Sequence, residues 1–192
     1  MTGIIRAFIA AELPREIKKD LVSAAGVLGE GSDRIRYVSA ENIHITVMFL
    51  GDVNVSLLEK IKDDIGVAAA GYKHFEVSIK GIDVFPDSRR PRVIWGKLDK
   101  GREPLRNIYR DLGKRLEYLN LKEGKMAYVP HVTVARIRYI KDIERFNRAF
   151  FGCAGKIFGR CLIKKISLFQ SVLSPAGPVY RKLYDGLLKN QE

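Results

Sequence analysis

Cysteine, histidine and threonine are all scarce in this chain, and no apolar run approaches the length of a membrane span. Of its 192 residues only Cys153 and Cys161 are cysteines, with seven residues between them. That spacing fits neither a zinc knuckle nor a redox CxxC pair, so inert buried thiols in a reducing, cytoplasmic compartment are expected. The absence of about eighteen consecutive apolar residues excludes a hydropathy-defined transmembrane helix, and the N-terminal stretch lacks the layout of a secretory signal. No P-loop or glycine-rich dinucleotide turn occurs, so no nucleotide cofactor is implied. No low-complexity tract or long Pro/Gly linker divides the chain, and its length suits one domain with two lobes, spanning residues 1–192.

The scarce residues are not scattered. There are three histidines and three threonines, yet HITV (His44–Val47) and HVTV (His131–Val134) each place a threonine two positions after a histidine. In an extended strand residues i and i+2 share a face. Ile43, Ile45 and Val47 then oppose His44 and Thr46, while Val132 and Val134 oppose His131 and Thr133. Each strand would bury an aliphatic face and offer an imidazole beside a hydroxyl on the other. The remaining histidine, His74, opens HFEVSIKG with no threonine after it and reads as a surface strand residue.

Charge is lopsided. Thirty-four lysines and arginines against 22 acidic residues give +12. Basic clusters occur in SRRPR (Ser88–Arg92), RIRYIK (Arg136–Lys141), Lys164–Lys165 and Arg181–Lys182. Such a field favours polyanions, nucleic acid foremost, with a basic surface lacking any dedicated ligand as the alternative.

Periodicity predicts a strand over Ile4–Ala10, then a helix opened by Pro14 with Ile17, Leu21, Ala25 and Leu28 in register, ending at Gly29 and Gly31. A short strand Ile35–Val38 precedes the first motif strand, which is expected to stop at Gly51. A helix carries Leu58, Ile61, Ile65 and Ala68. Strands follow over Phe75–Val84 and Val93–Leu98, then a helix with Leu105, Ile108, Leu112, Leu116 and Leu119. Pro130 introduces the second motif strand. A short helix (Ile143, Phe146, Phe150) and a final strand pair, Ile163–Val172 and Val179–Leu188 joined by SPAGP, close the chain. The order strand, helix, motif strand, helix, strands occurs twice, with each motif histidine about forty residues after the opening strand. Two lobes related by a pseudo-two-fold axis would bring the polar motif faces together across a cleft.

Histidine titrates nearest neutrality, so a facing pair can hold one neutral and one protonated ring. That suits in-line displacement at phosphorus, one ring activating water and the other protonating the departing oxygen. Threonine hydroxyls can donate to nonbridging phosphate oxygens. No metal is required, and neither motif supplies a further ligand in step.

Paired HxTx motifs some ninety residues apart resemble the 2H phosphoesterase superfamily, and the surroundings are similar to its RNA 2′,3′-cyclic phosphodiesterase (2′-5′ RNA ligase) branch. The resemblance runs through RAFIA (Arg6–Ala10), ELP (Glu12–Pro14), SAENIHITVMFLG (Ser39–Gly51), FPDSRRPRVIWGKL (Phe85–Leu98), YVPHVTVARI (Tyr128–Ile137) and QSVLSPAGPVYRKL (Gln170–Leu183). It implies a bilobal α+β fold with antiparallel sheets flanking a central basic cleft. It also implies hydrolysis of RNA 2′,3′-cyclic phosphate ends to 2′-phosphates; no metal or cofactor is expected, nor a membrane partner, and a monomer is expected. By analogy His44 is the proton donor, His131 the proton acceptor, and Thr46 and Thr133 grip the phosphate. Arg136, although off by one in the pleat, is a candidate substrate contact. So are Tyr180 and Phe8, with core packing as the alternative for both. Two other readings are 2′-5′ ligation of RNA ends and a noncatalytic RNA-binding module.

Overall fold

The computed structural model describes residues 3–29, 33–121, 127–175 and 177–190. Gly31 and Ala176, expected in a helix end and in the SPAGP turn, lie outside them. Nine strands and four α-helices are described: β1 (Ile4–Glu12), α1 (Arg15–Leu28), β2 (Arg34–Tyr37), β3 (His44–Asn54), α2 (Leu58–Ala69), β4 (Phe75–Phe85), β5 (Val93–Lys100), α3 (Arg102–Arg115), β6 (His131–Tyr139), α4 (Ile143–Gly152), β7 (Ile157–Ile163), β8 (Lys165–Ser174) and β9 (Gly177–Leu187). They build two antiparallel sheets, β3-β1-β8-β9 and β2-β6-β5-β4-β7. The fold is bilobal α+β, as expected.

The two sheets correspond strand for strand. In each, a motif strand (β3 or β6) pairs with the strand that precedes it by one helix (β1 or β5). The third strand, β8 or β4, reaches that sheet from the other half of the chain. Helices α1 and α3 are exchanged as well. α1 follows a strand of the first sheet but packs on β6 and β7 of the second, whereas α3 follows β5 and packs on β3. Gly96 of β5 permits the close approach of α1, since a Cβ there would lie 2.9 Å from Leu21 Cδ2. A continuous core joins both lobes, including Leu21, Ile45, Ile65, Ile94, Leu112, Val132 and Phe146, all essentially buried.

Four expectations need correction. The first motif strand does not stop at Gly51. That residue takes φ +69° and the strand continues to Asn54, because a glycine in this conformation absorbs a bulge instead of ending the ladder. The segment before Ile163 is a strand in its own right, β7, and pairs with β4 rather than prolonging β8. Leu119 lies beyond α3, in a 3-10 turn over Glu117–Leu119. His74 is not a surface strand residue: it sits one position ahead of β4, partly buried, with its backbone N–H donating to the Lys189 carbonyl. No helix among the described residues is long and apolar enough to cross a membrane.

Candidate active site

From His44 to Leu50 and from His131 to Ile137 the two motif strands share one burial pattern. Histidine and threonine are partly exposed, the residues following each are buried, a second buried residue comes next, then an exposed one, then a buried one. Strict alternation cannot give two buried residues in a row. The register explains it. Ile9 pairs with Met48 and Ala10 with Thr46, leaving Val47 unpaired; Ile94 pairs with Ala135 and Trp95 with Thr133, leaving Val134 unpaired. Each strand therefore bulges directly after its threonine, and the residue three places beyond the threonine returns to the polar face. That residue is Phe49 in one strand and Arg136 in the other. The bulge thus puts Arg136 on the polar face despite its odd offset from Thr133, and Arg136 lines the cleft.

The two imidazoles are oriented alike. His44 Nδ1 lies 2.7 Å from the Asn42 carbonyl oxygen and His131 Nδ1 lies 2.8 Å from that of Val129. A carbonyl only accepts, so each Nδ1 carries the proton and donates, and each Nε2 is left for other partners. His44 Nε2 is 2.9 Å from Thr46 Oγ1, which donates to it when the ring is neutral. Phe8 stacks against the His44 ring at 4.9 Å between centroids, and Tyr180 meets it edge-on at 5.5 Å. Burial by these rings holds the His44 pKa down at about 4. The bond to Asn42 works against that shift, while Lys18 and His131 add to it electrostatically.

Phe8 is 3% exposed and, with Ala10 and Phe169, forms a small apolar cluster apart from the main core, with Tyr180 packed on it. Phe8 packs as the floor under His44 and also lines the cleft. Tyr180 is half-buried and faces the cleft, its phenol pushed up by burial and drawn back by Arg136 and Arg6. Trp95 gives His131 an edge-on aromatic neighbour at 5.7 Å.

The cleft has a volume of about 1290 Å³ and brings together His44, Thr46, Phe8 and Tyr180 from one lobe with Thr133 and Arg136 from the other. His131 lies on the same strand face as Thr133, two positions before it. Arg6, Lys18, Arg36, Arg136 and Lys182 contribute positive charge, against Glu12 and Glu41. Glu12, across from His44 in the register, is held by Lys182 and Lys165. Tyr128 ties the motifs together: its hydroxyl, on the chain leading into β6, donates to the Thr46 carbonyl in β3 at 2.8 Å, and its ring stacks on Tyr109 of α3. Asn42, Lys18, Trp95 and Tyr128 were not singled out from sequence. For Asn42 no signal exists, because a backbone carbonyl is the functional group. Tyr128 lies within the quoted YVPHVTV segment, where an aromatic beside a motif was the available cue. Among the described residues no group of three or more His, Cys, Asp or Glu is placed to hold a metal ion.

The LigT like Phosphoesterase family description matches residues 11–95 and 98–180, one stretch for each motif. A Methanothermobacter thermautotrophicus protein named RNA 2′,3′-cyclic phosphodiesterase is 30% identical over 179 residues, covering 92% of this chain and 95% of that one. A Thermotoga maritima protein of the same name is 27% identical, covering 94% of each. Among crystal structures, a Thermus thermophilus protein gives a TM-score of 0.81 at 24% identity over 98% of this chain and all of that one. Escherichia coli LigT in complex with 3′-AMP gives 0.77 at 19% over 97% and 99%. These two likenesses concern the fold. The double match and the full-length relatives together establish that this chain belongs to the LigT-like phosphoesterases of the 2H superfamily.

Proposed function

We propose that this protein hydrolyses 2′,3′-cyclic phosphate ends of RNA to terminal 2′-phosphates. The observation that carries the reading is the repeated His-x-Thr unit with the same proton-fixing contact at Nδ1: His44, Thr46 and Thr133 line one positively charged cleft, and His131 lies two positions before Thr133 on the same strand face. The activity named for the full-length relatives supports it. In the proposed step His131 takes a proton from water as its oxygen attacks phosphorus. The bond from phosphorus to the 3′-oxygen breaks, and His44 gives that oxygen a proton. Thr46 and Thr133 donate to the nonbridging oxygens, and Arg136 balances their charge.

His44 is neutral at pH 7, because burial disfavours its charged form. Its role as donor therefore requires the arriving phosphodiester anion to raise its pKa, with proton uptake on binding. Thr46 Oγ1 then turns from Nε2 to a phosphate oxygen, and Nε2 becomes the donor. A cytoplasmic monomer without metal or cofactor remains the reading drawn from the sequence.

The test is to incubate the protein with an oligonucleotide ending in a 2′,3′-cyclic phosphate and identify the product end, with and without EDTA. A 2′-phosphate formed at equal rates under both conditions is expected. A 3′-phosphate product, or activity lost to chelation and restored by a divalent ion, refutes the scheme. Binding without turnover leaves the RNA-binding module.

A further inference from the structure

One end of the cleft holds more positive charge than the proposed hydrolysis needs. Arg36 of β2 and Arg136 of β6 are directly opposite in the register, and both line the cleft. Like charges facing each other across a strand pair destabilise a sheet unless an anion joins them. The Arg36 guanidinium reaches over to the β8–β9 turn, where a Cβ on Gly177 would lie 3.2 Å from its Nη2. Arg6 comes from the opposite lobe and also lines the cleft, and both it and Arg136 act on the Tyr180 phenol. None of the three makes an ion pair with a carboxylate among the described residues, not even Arg6 with its cross-strand neighbour Asp52.

Strand β1 measures where this cluster lies. Glu12, Ala10, Phe8 and Arg6 follow one another along its cleft face, with Glu12 opposite His44 and Ala10 opposite Thr46. Ala10 and Arg6 are four positions apart, about 13 Å of strand at roughly 3.3 Å per residue. Arg6 thus starts well away from the phosphate that Thr46 would hold. An RNA end has one other phosphate nearby, on the 5′-oxygen of its last nucleoside. From this placement, and resting on the function proposed above, we infer that Arg6 and Arg36, with Arg136 between the two positions, form a second phosphate subsite for that 5′-phosphate. The protein then reads the terminal nucleotide by both of its phosphates and prefers RNA ends to free cyclic nucleosides.

The experiment compares three substrates: a nucleoside 2′,3′-cyclic phosphate, the same compound bearing a 5′-phosphate, and a dinucleotide ending in the cyclic phosphate. The 5′-phosphate alone should raise kcat/KM about tenfold or more, as expected for charge-assisted contacts, and should account for most of the dinucleotide's advantage. Arg36→Gln and Arg6→Gln should each lower kcat/KM on the two 5′-phosphorylated substrates at least several-fold more than on the plain one, without lowering the urea midpoint, which for Arg36→Gln should rise as the like-charge pair is removed. Absence of a 5′-phosphate gain in the wild type overturns the subsite. So does an equal loss on all three substrates, or a gain seen only with the dinucleotide, which would mean that the second base is being read. If no substrate is hydrolysed, the failure lies with the proposed reaction. The subsite is then decided by equilibrium binding of a nucleoside 2′-phosphate with and without a 5′-phosphate, which must still differ in an Arg36-dependent way.

Discussion

A histidine with a pKa of about 4 holds no proton to donate at neutral pH until something negative reaches it, and that ties the chemistry of His44 to its stability cost. Its pKa in the fold is depressed below the ordinary 6.5. Between those two values the unfolded chain takes up a proton that the native ring refuses, so stability is fully present above about pH 6.5 and declines as pH falls toward 4. A shift of that size corresponds to at most roughly 3 kcal/mol. Urea midpoints measured at pH 7 and 4.5 should therefore drop less for His44→Gln than for the wild type; equal drops would mean the ring is not held neutral by the fold. Replacing His44 or His131 by Ala should lower turnover by roughly 10²–10⁴-fold, with the double variant far from multiplicative. The roles separate with a nitrophenyl phosphodiester, whose leaving oxygen needs no proton. It should rescue His44→Ala and leave His131→Ala slow, and the reverse pattern would exchange donor and acceptor. At this scale the sequence was legible where chemistry rides on spacing. Both His-Thr pairs follow from i, i+2 geometry, but the position of Phe8 beneath His44 depends on strand pairing across the chain and leaves no local trace.

Strands and helices were legible where one face is apolar and the other is not. The helix around Leu105, Ile108 and Leu112 was readable because all three are buried, and the core faces of β3 and β6 were readable from their alternation. β7 escaped because IFGRCLI carries Gly159 at φ +133° and an arginine, which blur the two-residue period. The bulges at Val47 and Val134 escaped for another reason. They change pairing without changing composition, so counting pleats past them puts Arg136 on the wrong face. Tyr128 supplies the prediction at this scale. Tyr128→Phe leaves the Thr46 carbonyl without its donor in a half-buried setting, for a cost of about 1–3 kcal/mol. It also unties the two motif strands, so kcat should fall with KM little changed, since small misplacement of paired catalytic groups acts on the chemical step. A variant with lower thermal stability but wild-type kcat would reduce Tyr128 to packing.

The molecule as a whole was legible in its plan and opaque in its wiring. Repetition of strand, helix and motif announced two lobes, and the +12 charge announced a polyanionic partner. Nothing local announced that each sheet takes its third strand, and each lobe one of its helices, from the other half. One consequence concerns the order in which a ribosome delivers the parts. β1 leaves first, yet its partner on one side is β8, with Phe8 opposite Phe169, so one edge of this central strand stays open until most of the polypeptide has been made. Both motifs are complete by residue 134, some thirty residues before that edge closes. A chain ending at Ile163 would carry every proposed catalytic group and still lack the β8 surface, including Phe169, on which Phe8 rests beneath His44. It should bind no RNA end productively and should aggregate through the open edge in sedimentation assays. Co-expression with a separate 164–192 fragment is the measure of how far strand delivery alone restores it. On this reading the topology itself times competence during synthesis, which should arrive only once the β8–β9 hairpin has been delivered to β1.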